Sequence, residues 1–116
     1  MSEKVVLLSR DAILSAEDLE KELVHVPSWG GHVYVRALTG AERDAFEASM
    51  VDQRGRDRKM NLKNLRARLC ALTICDEEGN RLFSDSDVEA LGKKSAAALT
   101  RVFAVAQRLS DRKSTL

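Results

Sequence analysis

The sequence predicts a small α+β domain, an N-terminal β-hairpin packed with a small bundle of three to four helices. Three observations lead there. β-Branched residues alternate around the turn Pro27-Ser28-Trp29-Gly30-Gly31. Apolar residues recur three and four apart after residue 60. A chain of 116 residues, 44% hydrophobic and 32% charged, suits one packed domain over 1–116 rather than two domains or a disordered chain. Aromatics are only 4%, so Leu, Val and Ala must supply most of the core.

The elements follow in order. Residues 1–8 are expected to fray. Ser9 is placed to cap a short helix over Arg10-Asp11-Ala12-Ile13-Leu14. From Leu19 to Val26 the chain alternates loosely, with Leu19, Leu23 and His25 set against Val24 and Val26. The glycines of the following turn permit positive φ, and Pro27 cannot donate to a ladder. His32 to Leu38 then makes the second strand. Pairing Val26 with His32 puts His25 on the opposite face from His32. Thr39-Gly40-Ala41-Glu42 is a capping box, opening a helix from about Gly40 to Val51 with Phe46 and Met50 on one face.

Residues 52–60 read as a mobile basic loop between two helices, with no apolar side chain before Met60. Asn61 is the expected cap of the next helix, where Leu62, Leu65, Leu69 and Leu72 form the inner stripe and Lys63, Arg66 and Arg68 take other faces. Asp76-Glu77-Glu78-Gly79-Asn80 is a turn, and Arg81-Leu82-Phe83 a short extended piece. Ser84 to Asp87 opens a helical segment with acids near the positive end of its dipole; Val88 and Leu91 face inward and Gly92 stops it. Ser95 caps the last helix, whose stripe is Leu99, Val102, Phe103, Ala106 and Leu109. The polar residues 110–116 are expected to fray.

The chemistry an enzyme needs is missing. There is no glycine-rich phosphate loop and no nucleophile elbow. Gly30-Gly31 joins a hairpin rather than a strand to a helix. His25 and His32 are the only histidines, and on the pairing above they do not converge. Asp85, Asp87 and Glu89 lack the glycine and glutamate spacing of a calcium loop, and a helix start rich in acids explains them. Cys70 and Cys75, read on one helix, point about 140° apart, so they predict buried free thiols in a reducing compartment. The pattern predicts no enzyme, no cofactor and no metal. No apolar run approaches the roughly 20 residues of a membrane span, and none resembles a signal peptide.

The net charge of +1 conceals a segregation. Residues 1–51 carry net −4, residues 52–68 net +5, and residues 69–116 are balanced. Arg54, Arg56, Arg58 and Lys59 form one basic stripe. They are a candidate interaction surface, together with Trp29, a lone Trp that either folds back as a lid on the core or stands out as a contact residue. A small nucleic-acid-binding regulator using the stripe is the alternative reading. No aromatic side chain is interleaved between Arg54 and Arg68 for base stacking, which disfavours it.

The strings Val26-Pro27-Ser28-Trp29-Gly30-Gly31, Val33 to Glu47, Asn64 to Leu72, Asp76 to Phe83 and Asp87 to Leu99 occur in an order that resembles the tail assembly chaperones of long-tailed, non-contractile (siphovirus-type) phages and prophages. The resemblance covers about Ser9 to Ser110. It rests on turn, cap and helix patterns rather than catalytic signatures. It implies a non-catalytic protein of the bacterial host's cytoplasm, absent from the mature virion. Such a protein binds the tape measure protein, keeps it soluble and helps recruit subunits of the major tail (tube) protein. It also implies a longer frameshift form as a partner and self-association around the client. A groove between the Leu62–Leu72 and Leu99–Leu109 helices is one place an amphipathic client could lie.

Overall fold

A computed structural model describes residues 5–52 and 59–111. A six-residue helix α1 (Arg10–Ser15) precedes the hairpin β1 (Lys21–Val26) and β2 (Gly31–Arg36). Helix α2 (Gly40–Ser49) leads to a two-residue ladder, β3 (Val51–Asp52) with β4 (Lys59–Met60). Then come α3 (Leu65–Thr73), β5 (Ile74–Cys75), α4 (Val88–Gly92) and α5 (Ala96–Ser110). The main sheet has the order β1-β2-β5, antiparallel throughout. The predicted α+β architecture is the one observed.

Local chemistry explains the starts of these elements. The Ser9 hydroxyl accepts from the Ala12 amide at 3.1 Å, and Ser95 does the same for Ala98 at 3.3 Å. The Thr39 hydroxyl accepts from the Glu42 amide while the Glu42 carboxylate accepts from the Thr39 amide, the reciprocal bonds of a capping box. Between β1 and β2 a single 3₁₀ turn, Pro27–Trp29, closes with Gly30 at φ 74°. Only glycine takes that conformation without strain. The turn sets the register one residue away from the expected one: Val26 pairs with Gly31, and His25 lies directly opposite His32. The histidines therefore share a face, a correction whose cause is the backbone of the turn.

Three other expectations fail for tertiary reasons. Asn61 does not cap α3; its side chain accepts from the Lys63 amide in a local turn. The helix starts after Asn64, whose backbone is left-handed at φ 55°, and Leu62 is left exposed. The helix also ends early. Thr73 turns its hydroxyl back on the Leu69 carbonyl, and the β-branched Ile74 leaves in an extended conformation to pair with β2. Cys75 is thus on a strand, and both thiols are free and buried as expected. Finally, residues 52–60 are not a loop throughout, because Asp52, Lys59 and Met60 join the β3–β4 ladder; residues 53–58 lie outside the described residues.

Helix α5 crosses the inner face of β1 and β2 and packs on α3. Val24, Val26 and Val35 from the sheet meet Leu69, Ile74, Leu99 and Val102, each under 7% exposed. Ala67, Ala71, Ala98 and Ala106 are buried with them. Small side chains let the backbones of α3 and α5 approach each other. The end of α5 is tied down rather than frayed. The Ser110 hydroxyl accepts from the Leu38 amide at 3.1 Å, and Arg43 reaches both the Ser110 carbonyl and Asp111. Residues 112–116, the rest of the expected fray, lie outside the described residues, as do residues 1–4.

Ion pairs join the hairpin to the helices: Arg108 on α5 meets Glu22 on β1 at 2.6 Å, and the more buried pair is Arg36 with Glu42. Arg36, at the end of β2, is 6% exposed. Its two terminal nitrogens donate to the two Glu42 carboxylate oxygens, each at 2.8 Å. That guanidinium and the Thr39 amide hold the Glu42 carboxyl down to about 2 from its ordinary 4.5. Helix α4 ends at Gly92 as expected, and the residue has a packing role besides. Its φ is not positive, and a Cβ there would fall 2.6 Å from the Asn64 side-chain oxygen.

Two outcomes follow. Glu42→Ala should cost about 3 kcal/mol in urea unfolding, because it strands a buried guanidinium. The carboxyl is depressed in the folded state, so its contribution is complete above about pH 4.5 and is lost as pH falls toward about 2. The variant's stability should fall less over that range; an acid limb as steep as that of the parent would contradict this. Gly92→Ala should lower stability by about 1 kcal/mol, and adding Asn64→Gly should restore it by removing the opposing amide. An unchanged denaturation midpoint in the single variant would show that the amide simply rotates away.

Candidate functional site

Of the interaction residues singled out in the sequence, Trp29 alone has its side chain among the described residues. Trp29 is half-buried in the turn and packs against the core, which is the lid reading. Arg54, Arg56 and Arg58 lie outside the described residues. Lys59 contributes its backbone to β4 opposite Asp52, and its side chain also lies outside them. The nucleic-acid alternative rested on this stripe.

The acidic segment is structural. The Asp87 carboxylate accepts from the Ser84 amide at 2.8 Å, Asp85 pairs with Arg81 at 3.0 Å, and Glu89 faces Lys63. Burial pushes the Cys70 thiol up to about 12 and raises that of Cys75, so neither is poised as a nucleophile. Among the described residues no three His, Cys, Asp or Glu side chains gather where they could hold a metal ion. No described helix is long and apolar enough to cross a membrane.

What the fold leaves open is apolar. Val5, Val6, Leu7 and Leu8 are 64–91% exposed, and Ile13 and Leu14 on α1 are 56% and 68% exposed. Helix α1 buries no residue at all. A six-residue helix is too short to be stable on its own in water, so this arm is capped and helical without a core to hold it. Folded monomers rarely expose contiguous apolar patches above a few hundred Å² except where something binds. The sequence contained the signal, an apolar run ahead of a capped helix, but a fraying terminus was the simpler reading. Leu19 and Leu23 continue the exposed apolar surface toward the hairpin.

A second apolar feature lies beside α2. A cavity of about 270 Å³ is lined by Ala45, Phe46, Leu72 and Val88, with Arg68 and Asp85 also on its wall. Arg68, placed by the sequence on a face away from the leucine stripe, is a clamp. It donates to the Ser49 carbonyl and hydroxyl at 2.8 and 2.7 Å and to the Asn61 carbonyl at 2.7 Å. It thereby holds the end of α2 and the segment after β4 against α3. On the other side of Phe46 a cavity of about 230 Å³ is lined by Leu38, Met50 and Leu69. This second recess also reaches α5, with Gln107 and Ser110 on its wall, so it lies where α2, α3 and α5 meet.

Comparison with known proteins agrees with this architecture. The family described as "Phage tail assembly chaperone" matches residues 9–115. The solved structure of the bacteriophage HK97 tail assembly chaperone superposes with a TM-score of 0.62 at 16% identity, covering 90% of this chain and 95% of that one. At that identity the likeness is one of fold. No curated protein matches the chain.

Proposed function

The chain belongs to the phage tail assembly chaperone family, whose role is non-enzymatic, and on that premise we propose that it binds its phage's tape measure protein. It keeps that long client soluble and helps recruit tail tube subunits, which then displace it, so the mature virion lacks it. It works in the cytoplasm of the bacterial host. A longer frameshift form of the same chain and further copies of the chain bind along the client beside it.

The observation that carries this reading is the apolar arm. Six large side chains of residues 5–14 are more than half exposed, on a segment attached to the body by residues 16–20 rather than packed into it. An amphipathic helical client offers an apolar face of its own, and joining the two removes both from water. The arm has no core of its own to hold it, which suits a partner that must be released when tube subunits arrive. The recesses beside Phe46 supply a second place for client side chains.

Co-expression tests this. Tape measure protein made with this chain should remain in the soluble fraction and co-purify with it. Leu7→Ser combined with Leu14→Ser should leave the fold intact, since both residues are exposed, and should weaken binding by roughly a hundredfold, from about 1.5 kcal/mol per lost apolar side chain. A tape measure protein equally soluble with and without the chain would sink the proposal. Full binding by the double variant would move the client off the arm.

A further inference from the structure

The turn that shifts the hairpin register has a chemical consequence unrelated to client binding. It sets His25 and His32 directly opposite each other on the antiparallel ladder. Both are exposed, and their rings stack with centroids 4.7 Å apart and planes 29° from parallel. Directly opposed residues have Cβ atoms about 5 Å apart, so side-chain rotation out of the stack brings one nitrogen of each exposed imidazole onto a single atom. Neither ring takes part in a hydrogen bond or ion pair among the described residues. A neutral imidazole keeps one nitrogen lone pair as acceptor and ligand, and here both lone pairs are unspent.

We propose that His25 and His32 form a bidentate site for a borderline divalent transition ion at the tip of the hairpin. Imidazole nitrogen selects copper, nickel and zinc over magnesium or calcium, and copper(II) heads the affinity order. With no third protein ligand gathered among the described residues, water fills the remaining positions, so the site exchanges its ion readily. The neighbouring pair on the same face is Leu23 with Tyr34, and Lys21 lies over the Tyr34 ring at 5.0 Å. The cation is therefore held one step away from the histidines. A bound ion would link β1 to β2 across the turn that carries Trp29, and so restrain the turn from both strands.

Trp29 is the sole tryptophan and lies in the turn between the two histidines, so its fluorescence reports copper(II) bound there. Titration of the intact chain should give saturable quenching at one ion per chain, with calorimetry giving the same stoichiometry. His25→Ala and His32→Ala should each weaken binding at least tenfold, about 1.4 kcal/mol, with unchanged circular dichroism. Zinc should raise the melting temperature of the parent with concentration and leave both single variants unmoved. Magnesium should do nothing to any of them. Absence of saturable quenching, or full affinity surviving either substitution, would overturn the site. A loss confined to one of the two variants would also overturn it, since that is single-histidine binding.

Discussion

The fold depends on a charge it could not otherwise bury. Arg36 ends β2 almost out of solvent, and its guanidinium is acceptable there only because Glu42 meets it with both oxygens. The same carboxylate closes the capping box on Thr39. One side chain thus sets where α2 starts and how it leaves the sheet. From α2 the restraint spreads. Arg43 holds the end of α5 through Ser110 and Asp111, and Ser49 receives Arg68 from α3. The polar contacts orient the helices, while the Val, Leu and Ala side chains beneath them supply most of the burial.

That core is made of short side chains, and its economy bears on function. Alanines at the α3–α5 contact let the two helices pack closely, and the body of the protein has a buried core of its own. Several of the larger apolar residues are instead placed outside it, on the arm before β1. Under the proposed function, a chaperone that binds a long helical client and then yields it to tube subunits needs a body that folds without the client. It also needs an apolar element left open to that client. The division between a self-sufficient core and an unsatisfied arm meets both needs.

Much of this was legible. The caps at Ser9, Thr39 and Ser95 were readable because they involve side chains and amides three residues apart, within reach of local sequence. So were the hairpin, the turn at Asp76–Asn80 and the stripe on α5, which repeat with the period of their element. The errors share a cause. The hairpin register, the early end of α3 at Thr73, the left-handed Asn64 and the clamp made by Arg68 all depend on a partner distant in sequence or on one backbone torsion. Arg68 sits among lysines and arginines that look alike in sequence, and only the packing of α2 against α3 distinguishes it. For the candidate site the balance is worse. The basic stripe and Trp29 were visible as residue types, and so was the short helix capped by Ser9, but the exposure of the arm was not legible because exposure is a property of the finished packing.

By itself, then, the sequence determined the kind of fold: an α+β domain with its caps and turns in place. Those features are local and carry their own physical reasons. Tertiary structure alone decided which apolar residues stay in water, which charge is buried and which histidines meet. Each of these depends on what another part of the chain already occupies, and one glycine at φ 74° was enough to move both histidines onto a single face.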